Sequence, residues 1–431
     1  MKKMRFAVIG AAMVLAGGLA LAQSSMTYTA TKEVFKTDVD NYMDVNTWGG
    51  VSPEKVFAFT NFYKNTLNLG AAKTFGNFYL GGYFSGKIPN IQTSQNKTDA
   101  YTVDVSRNDG TTTIPSELQT LAAGVTFPNF INTGTTSDLN FALLFGFGNI
   151  GIKAGLYYYP GSFSAKVDYT DASIYDITYK ISNDSIQPYL SFGYTTELAG
   201  KTFMANASFA FDFYTRKEEV TQGSYTNVTN SRYNRIDLYA GATYDFYKTD
   251  GMVQSVMFNA AYSGYIYPKE TVIRTGIDPT TQDVSQGNVF LAPSYKLIFN
   301  PVEAVSLGLT ATIPFNIGFG SQNNITNSSF NMGANANVAL QYTIKPDFLV
   351  FNLGGSFSLG NLINTSSSNS SRLNRNSFFD RTSIDLSTGL AFNFTKNIVL
   401  DTSFDFMTGA NMTSLANIWN TSLGLQLSIK Y

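Results

Sequence analysis

The last nine residues, Leu423-Gly424-Leu425-Gln426-Leu427-Ser428-Ile429-Lys430-Tyr431, alternate apolar and polar without a break. Successive strand side chains point to opposite sides, so Leu423, Leu425, Leu427, Ile429 and Tyr431 share one face. Gly424, Gln426, Ser428 and Lys430 share the other. The same period of two recurs upstream. In Ile384 to Phe394 the even positions are mostly apolar and the odd ones small or polar. The next run sets Ile398, Leu400, Phe404 and Phe406 against Asp401, Ser403 and Asp405, with Thr395-Lys396-Asn397 between them as a hairpin turn. A helix needs apolar residues every three to four positions, so strict alternation over ten residues argues for strands. The pattern predicts fifteen strands, near 66–75, 77–87, 139–148, 150–159, 186–198, 201–214, 231–247, 252–267, 288–300, 303–316, 331–344, 347–360, 382–394, 397–409 and 418–431. Lys55 to Tyr63 supplies a sixteenth. Leu118 to Phe127 also alternates but sits inside the longest connection.

Connections come in two kinds. Tight turns are expected at Phe75-Gly76-Asn77, Gly148-Asn149, Ala199-Gly200-Lys201, Lys248 to Gly251, Asn300 to Glu303 and Lys345-Pro346-Asp347. Long polar loops are expected at about 88–138, 160–185, 215–230, 268–287, 319–331, 360–381 and 410–417. From residue 139 onward the two kinds alternate strictly, which puts every short turn at one end of the sheet. Both chain ends then fall on that side, and the strand number is even: sixteen, with fourteen and eighteen as the alternatives.

The N-terminus reads differently. Met1-Lys2-Lys3-Met4-Arg5 precedes an apolar run from Phe6 to Leu19 and the small-x-small site Ala20-Leu21-Ala22. These are the three regions of a secretory signal peptide, 1–22, cleaved near Ala22-Gln23. Beyond it no apolar run reaches the 18 or so residues a membrane helix needs. Residues 23–54 form an N-terminal periplasmic extension or a plug, and 55–431 a single all-β domain.

Composition narrows the class. Only 14% of residues are charged, against about 25% in soluble domains, while 15% are aromatic. The signal peptide holds three of the 29 basic residues and none of the 30 acidic ones, so the remainder has net charge −4. That balance excludes the basic face nucleic acid requires. Cysteine and histidine are both absent. Disulfide stapling, Ser-His-Asp hydrolysis, imidazole proton transfer and ordinary zinc sites go with them. The reading is of a non-enzyme with no cofactor and no metal.

Alternating strands, the turn–loop polarity and a terminal aromatic together resemble bacterial outer-membrane β-barrels across 55–431, and among them porins. Tyr431 stands where phenylalanine is commonest in that family. The resemblance implies a transmembrane antiparallel up-and-down barrel in the outer membrane. Leu423, Leu425, Leu427, Ile429 and Tyr431 would be its assembly signal, read by the barrel-assembly machinery. It also implies contact with outer-membrane lipid and lipopolysaccharide, and is compatible with a homo-oligomer. Barrel-type outer-membrane proteases and phospholipases use a catalytic histidine that this chain lacks.

If the apolar face meets lipid, the other face lines a lumen. Strand phase puts Lys153, Asp212, Asp237, Tyr239, Asp245, Asn259, Tyr265, Lys296, Asn335, Asn337, Gln341, Asn352, Asp385, Asn393, Asp401 and Asp405 there. A polar lumen keeps dissolved solutes hydrogen-bonded, so the expectation is diffusion of small hydrophilic solutes with mild cation preference. The alternatives are a surface adhesin or structural barrel with a plugged lumen, and a transporter of hydrophobic substrates.

Overall fold

The computed structural model describes residues 56–63, 66–87, 92–97, 101–108, 139–171, 175–274, 277–322, 325–366, 382–395, 398–410 and 422–430. The expected signal peptide, the 23–54 segment, Leu118 to Phe127 and Tyr431 lie outside the described residues.

Alternation translates directly into strands. They are β1 (Val56–Tyr63), β2 (Thr66–Phe75), β3 (Phe78–Lys87), β4 (Gln92–Lys97), β5 (Tyr101–Asn108), β6 (Leu139–Phe147), β7 (Ile150–Tyr169), β8 (Ile177–Leu198), β9 (Lys201–Gln222) and β10 (Tyr225–Thr249). There follow β11 (Met252–Arg274), β12 (Ile277–Val302), β13 (Val305–Thr312), β14 (Phe315–Gln322), β15 (Ile325–Lys345), β16 (Leu349–Ser366), β17 (Thr382–Thr395), β18 (Ile398–Ala410) and β19 (Ser422–Lys430). Neighbours pair antiparallel all the way round, and β1 pairs with β19, Phe57 opposite Lys430 through Phe62 opposite Leu425. The sheet closes on itself and leaves no edge in the wall.

β13 and β14 count as one wall strand. Both pair with β12 and β15 in one continuous register, and Ile313-Pro314 interrupts them. Pro314 has no N–H to give the ladder, although its carbonyl still accepts from the Gly333 N–H at 2.9 Å. β4 and β5 form a hairpin outside the closed ring, with β5 laid along the upper half of β7. Sixteen wall strands remain. The chain is a closed sixteen-stranded antiparallel barrel, the architecture of outer-membrane β-barrels.

The register fixes which face each residue takes. Along β6, Phe141, Leu143, Phe145 and Phe147 point out, Leu143 with 68% of its surface bare, while Asn140, Ala142 and Leu144 are buried inside. Phe192, Phe209, Leu238, Phe258, Val338 and Phe404 continue the bare apolar outside around the barrel. At the short-turn end aromatics gather outside: Phe78 lies 5.1 Å from Phe147 and 5.9 Å from Phe145 between ring centroids. That is the interfacial girdle of a membrane barrel. The turn Ala199-Gly200 has both residues at positive φ, 52° and 70°, as the tight I′ hairpin requires.

The structure corrects the expected loops. Segments 160–185, 215–230, 268–287 and 319–331 are mostly paired strand, not irregular connection. β7 to β12 run 20 to 26 residues, where a tilted crossing needs about ten. β9 and β10 meet in a two-residue turn at Gly223-Ser224. On this flank the wall continues well beyond the apolar band as a tall palisade. It was invisible to alternation because strands that leave the membrane no longer need an apolar outer face. The 88–138 connection contains the β4–β5 hairpin for the same reason.

Candidate functional site

Inward residues divide the barrel interior into two arcs. The first runs from β1 to β8 and is aromatic. Phe57, Phe59, Ala72, Tyr79 and Leu144 form a buried cluster with Tyr83 packed against it, and Phe57 and Leu144 have no exposed surface. Phe59 stacks on Phe57 at 6.1 Å and on Tyr83 at 6.3 Å. Gly70 makes room: a Cβ there would collide with the Phe59 ring. Further along, Tyr157 stacks on Tyr189 at 4.8 Å and on Tyr159 at 5.7 Å. Lys153 sits between the two groups, its ammonium 5.2 Å from the Tyr83 ring and 5.9 Å from Tyr189. Such contacts neutralise part of a cation's charge without a carboxylate. Tyr83 donates to Asn68 Oδ1 at 2.9 Å and Tyr189 to Asn140 Oδ1 at 3.0 Å, so the hydroxyls are satisfied inside.

From β9 to β19 the inner wall is chiefly small and polar, and its side chains bond across neighbouring strands. Tyr239 donates to Asn259 Oδ1 at 2.7 Å, Ser358 to Asn335 Oδ1 at 2.7 Å and Gln341 to Asn352 Oδ1 at 3.2 Å. At the closing pair Asn61 donates to Gln426 Oε1 at 3.2 Å. Each cross-strand bond adds about 1 kcal/mol net and keeps a polar side chain in place against the wall.

The eight candidate lumen residues all fall on the inner face by register, but not in one place. Asp212 is buried and accepts from Ser185 Oγ at 2.5 Å. Asp237 accepts from Gln187 Nε2 at 2.8 Å. Arg235 stands between them, 3.4 Å from Asp212 Oδ2 and 3.1 Å from Asp237 Oδ2. Asp245 accepts from Ser255 Oγ at 2.7 Å, and Lys296 is the next residue in that row, opposite Ser255 on β12. Asp385 accepts from Ser356 Oγ at 2.7 Å. Asp401 lies opposite Ala391 and Gln426, seven wall strands from β10 and so nearly across the barrel. Asp405 is opposite Ser387 and Ser422 by backbone register; its side chain lies outside the described residues, as does that of Leu423. Leu425, Leu427 and Ile429 occupy the outward face of β19. Among the described residues no three carboxylates gather as a metal site would need.

Arg235 is the residue the sequence reading missed. It shares strand phase with Asp237, two positions on, and that parity was the available signal. Tyr83, Tyr157 and Tyr189 were missed for another reason. Aromatics on the small-residue face of a strand look like exceptions until four neighbouring strands bring them together.

Beyond the band the palisade has its own character. Ala165, Val167, Ile177, Tyr179, Ile181 and Val220 on its inner face are all buried. Ion pairs mark its strands: Lys166 with Asp168 at 2.7 Å, Lys217 with Glu219 at 2.8 Å, and Arg216 with Glu218. The Lys217 hydrogen bond, helped by the charges of Lys217 and Lys180 against a smaller effect of burial, holds the Glu219 carboxyl below the usual glutamate range.

No protein-family model and no curated protein matches the chain. Solved structures do. A TodX monoaromatic hydrocarbon channel carrying the deltaS2S3 deletion is 10% identical at a TM-score of 0.39, with 93% of this chain and 96% of that one covered. The Pseudomonas putida toluene transporter TodX is 11% identical at 0.31, covering 94% and 97%. The translocator domain of the autotransporter NalP from Neisseria meningitidis is 11% identical at 0.28, covering 73% and 94%. Likenesses this distant carry no argument about solute or mechanism.

Proposed function

We propose that this chain is a channel of an outer membrane through which small hydrophilic solutes diffuse, with a weak preference for cations. The observation that carries this reading is the hydrogen-bonded polar inner wall from β9 to β19, set against the apolar outer face. A wall of sixteen strands is wide enough to leave an aqueous path. Among the inner-wall residues placed above, the carboxylates of Asp212, Asp237, Asp245, Asp385 and Asp401 outnumber the cations Lys153, Arg235 and Lys296, which supports the sign of the preference. The reading is of a non-enzymatic protein in contact with lipid and lipopolysaccharide. Purified protein in planar bilayers should give stable conductance steps, and a salt gradient should give a reversal potential of cation sign. Silence from the intact protein and from variants lacking 23–54 or 88–138 would end the channel reading and promote a surface-interaction barrel with a filled lumen.

A second reading has its own observation. The aromatic arc of Phe57, Phe59, Tyr79, Tyr83 and Leu144 makes one side of the interior apolar, which suits a transporter of hydrophobic substrates. Proteoliposome swelling separates the two. Swelling in small sugars supports the hydrophilic pore, whereas uptake restricted to apolar solutes supports the second reading.

A further inference from the structure

Arg235 is an inner-wall cation set directly between two of the wall's carboxylates. Arg235 on β10 reaches Asp212 of β9 through Nη2 at 3.4 Å and Asp237 of its own strand through Nε and Nη2, both at 3.1 Å. On β8, Ser185 donates to the other oxygen of Asp212, Oδ1, and Gln187 donates to the same Asp237 Oδ2 that Arg235 holds. All five side chains face inward. They sit at the level of Phe213, after which the outward residues of β9 become Thr215, Lys217 and Glu219. The cluster therefore lies where this flank leaves its apolar band, at the base of the palisade and away from the short turns. The Arg235 side chain keeps about a third of its surface exposed, Asp212 about a tenth and Asp237 about a quarter, so the guanidinium is the member most open to the lumen.

We infer that Arg235 tunes the charge selectivity of the pore by cancelling one of these two carboxylates at the base of the palisade. The inference rests on the channel reading. Two aspartates and one arginine give the cluster a net charge of −1, and each substitution moves that charge by a known step. A single charge about 10 Å from a permeating ion changes its local concentration roughly twofold at low salt, and the effect fades as the Debye length shrinks to about 3 Å at 1 M. Low-dielectric walls focus the field along the path, so a fixed charge on the wall acts on every ion that passes it.

The test is a ladder of reversal potentials in bilayers at low salt. Arg235→Gln leaves the cluster at −2 and should raise the cation-to-anion permeability ratio about twofold. Arg235→Lys keeps −1 and should match the parent. Asp237→Asn, and separately the triple change D212N/R235Q/D237N, both bring the cluster to zero. Both should lower the ratio by about the same factor despite their different hydrogen bonding, which a purely structural role would not produce. D212N/D237N, at +1, should fall lowest. The heat-modifiable shift on gels identifies which variants have folded. If Arg235→Gln does not fold, the remaining rungs still decide. A parent that conducts with a ratio flat across the folded rungs overturns the inference and leaves the channel reading intact. Silence from the parent and from the variants lacking 23–54 or 88–138 removes both.

Discussion

Phe59 and Gly70 face each other across the β1–β2 pair, and the Phe59 ring fills the space that a side chain at position 70 would need. Gly70→Val should push the Phe59 ring off its stack with Phe57 and Tyr83. Overpacking of this kind costs about 1–3 kcal/mol, and urea unfolding in detergent micelles would measure it. The two faces of a strand should differ more sharply. Leu400 points to lipid, so Leu400→Arg should cost on the order of 2–4 kcal/mol near the midplane, whereas half-buried Asn337→Arg on the inner wall should cost much less. Gln426 is a poor inner control, because it is buried and bonded to Asn61. Period two in the sequence was enough to assign the faces of Leu400, Asp401 and Gln426. Their partners were not legible, because register across strands decides that Ser185 meets Asp212 and that Lys153 lies over Tyr83.

Strand length is where alternation and structure part. The sequence pattern ends β9 near residue 214 and begins β10 near 231, because Thr215, Lys217, Glu219 and Thr221 give the outer face no apolar signal. Backbone pairing continues regardless, Thr215 opposite Arg232 through Gln222 opposite Tyr225. Trypsin separates the alternatives. An irregular loop would be cut readily at Arg216 and Lys217, but the paired hairpin should resist in the intact barrel, as peptide mapping after brief digestion would show. Acid should loosen the same tips. The Glu219 carboxyl is held below its ordinary range, so its contribution is complete above that range and is lost as the pH falls through its lowered value. The pair is largely exposed and the effect small. Hydrogen-exchange protection at Lys217 to Val220, corrected for intrinsic rates, should fall as the pH drops below the ordinary glutamate range, and less so in high salt.

At the scale of the molecule, even strand number, antiparallel order and one continuous sheet were all readable from turns and alternation. The divided interior was not, since it needs β1, β2, β3 and β6 brought side by side. Membrane topography offers the direct check. Single cysteines placed at 400 and at 401 in otherwise cysteine-free protein should react unequally with a membrane-impermeant reagent, position 401 the faster.

The pairing of β1 with β19 also says something about time. Asn61 and Gln426 touch across 365 residues of chain, so the barrel cannot close until nearly all of it has been delivered. Until then β1 presents a bare hydrogen-bonding edge, which invites pairing with a neighbouring molecule. Contacts this distant in sequence form late and slowly, because the whole intervening chain must be ordered first. The same seam that delays assembly then governs disassembly, since a closed sheet has no end from which to unravel. A disulfide between cysteines at 61 and 426, directly opposed in the register, would turn the barrel into a covalent hoop. It should raise the unfolding temperature by an amount worth up to roughly 5 kcal/mol, and reductant should abolish the gain. The lifetime of the folded protein is then set at one pair of strands, the first made and the last to arrive.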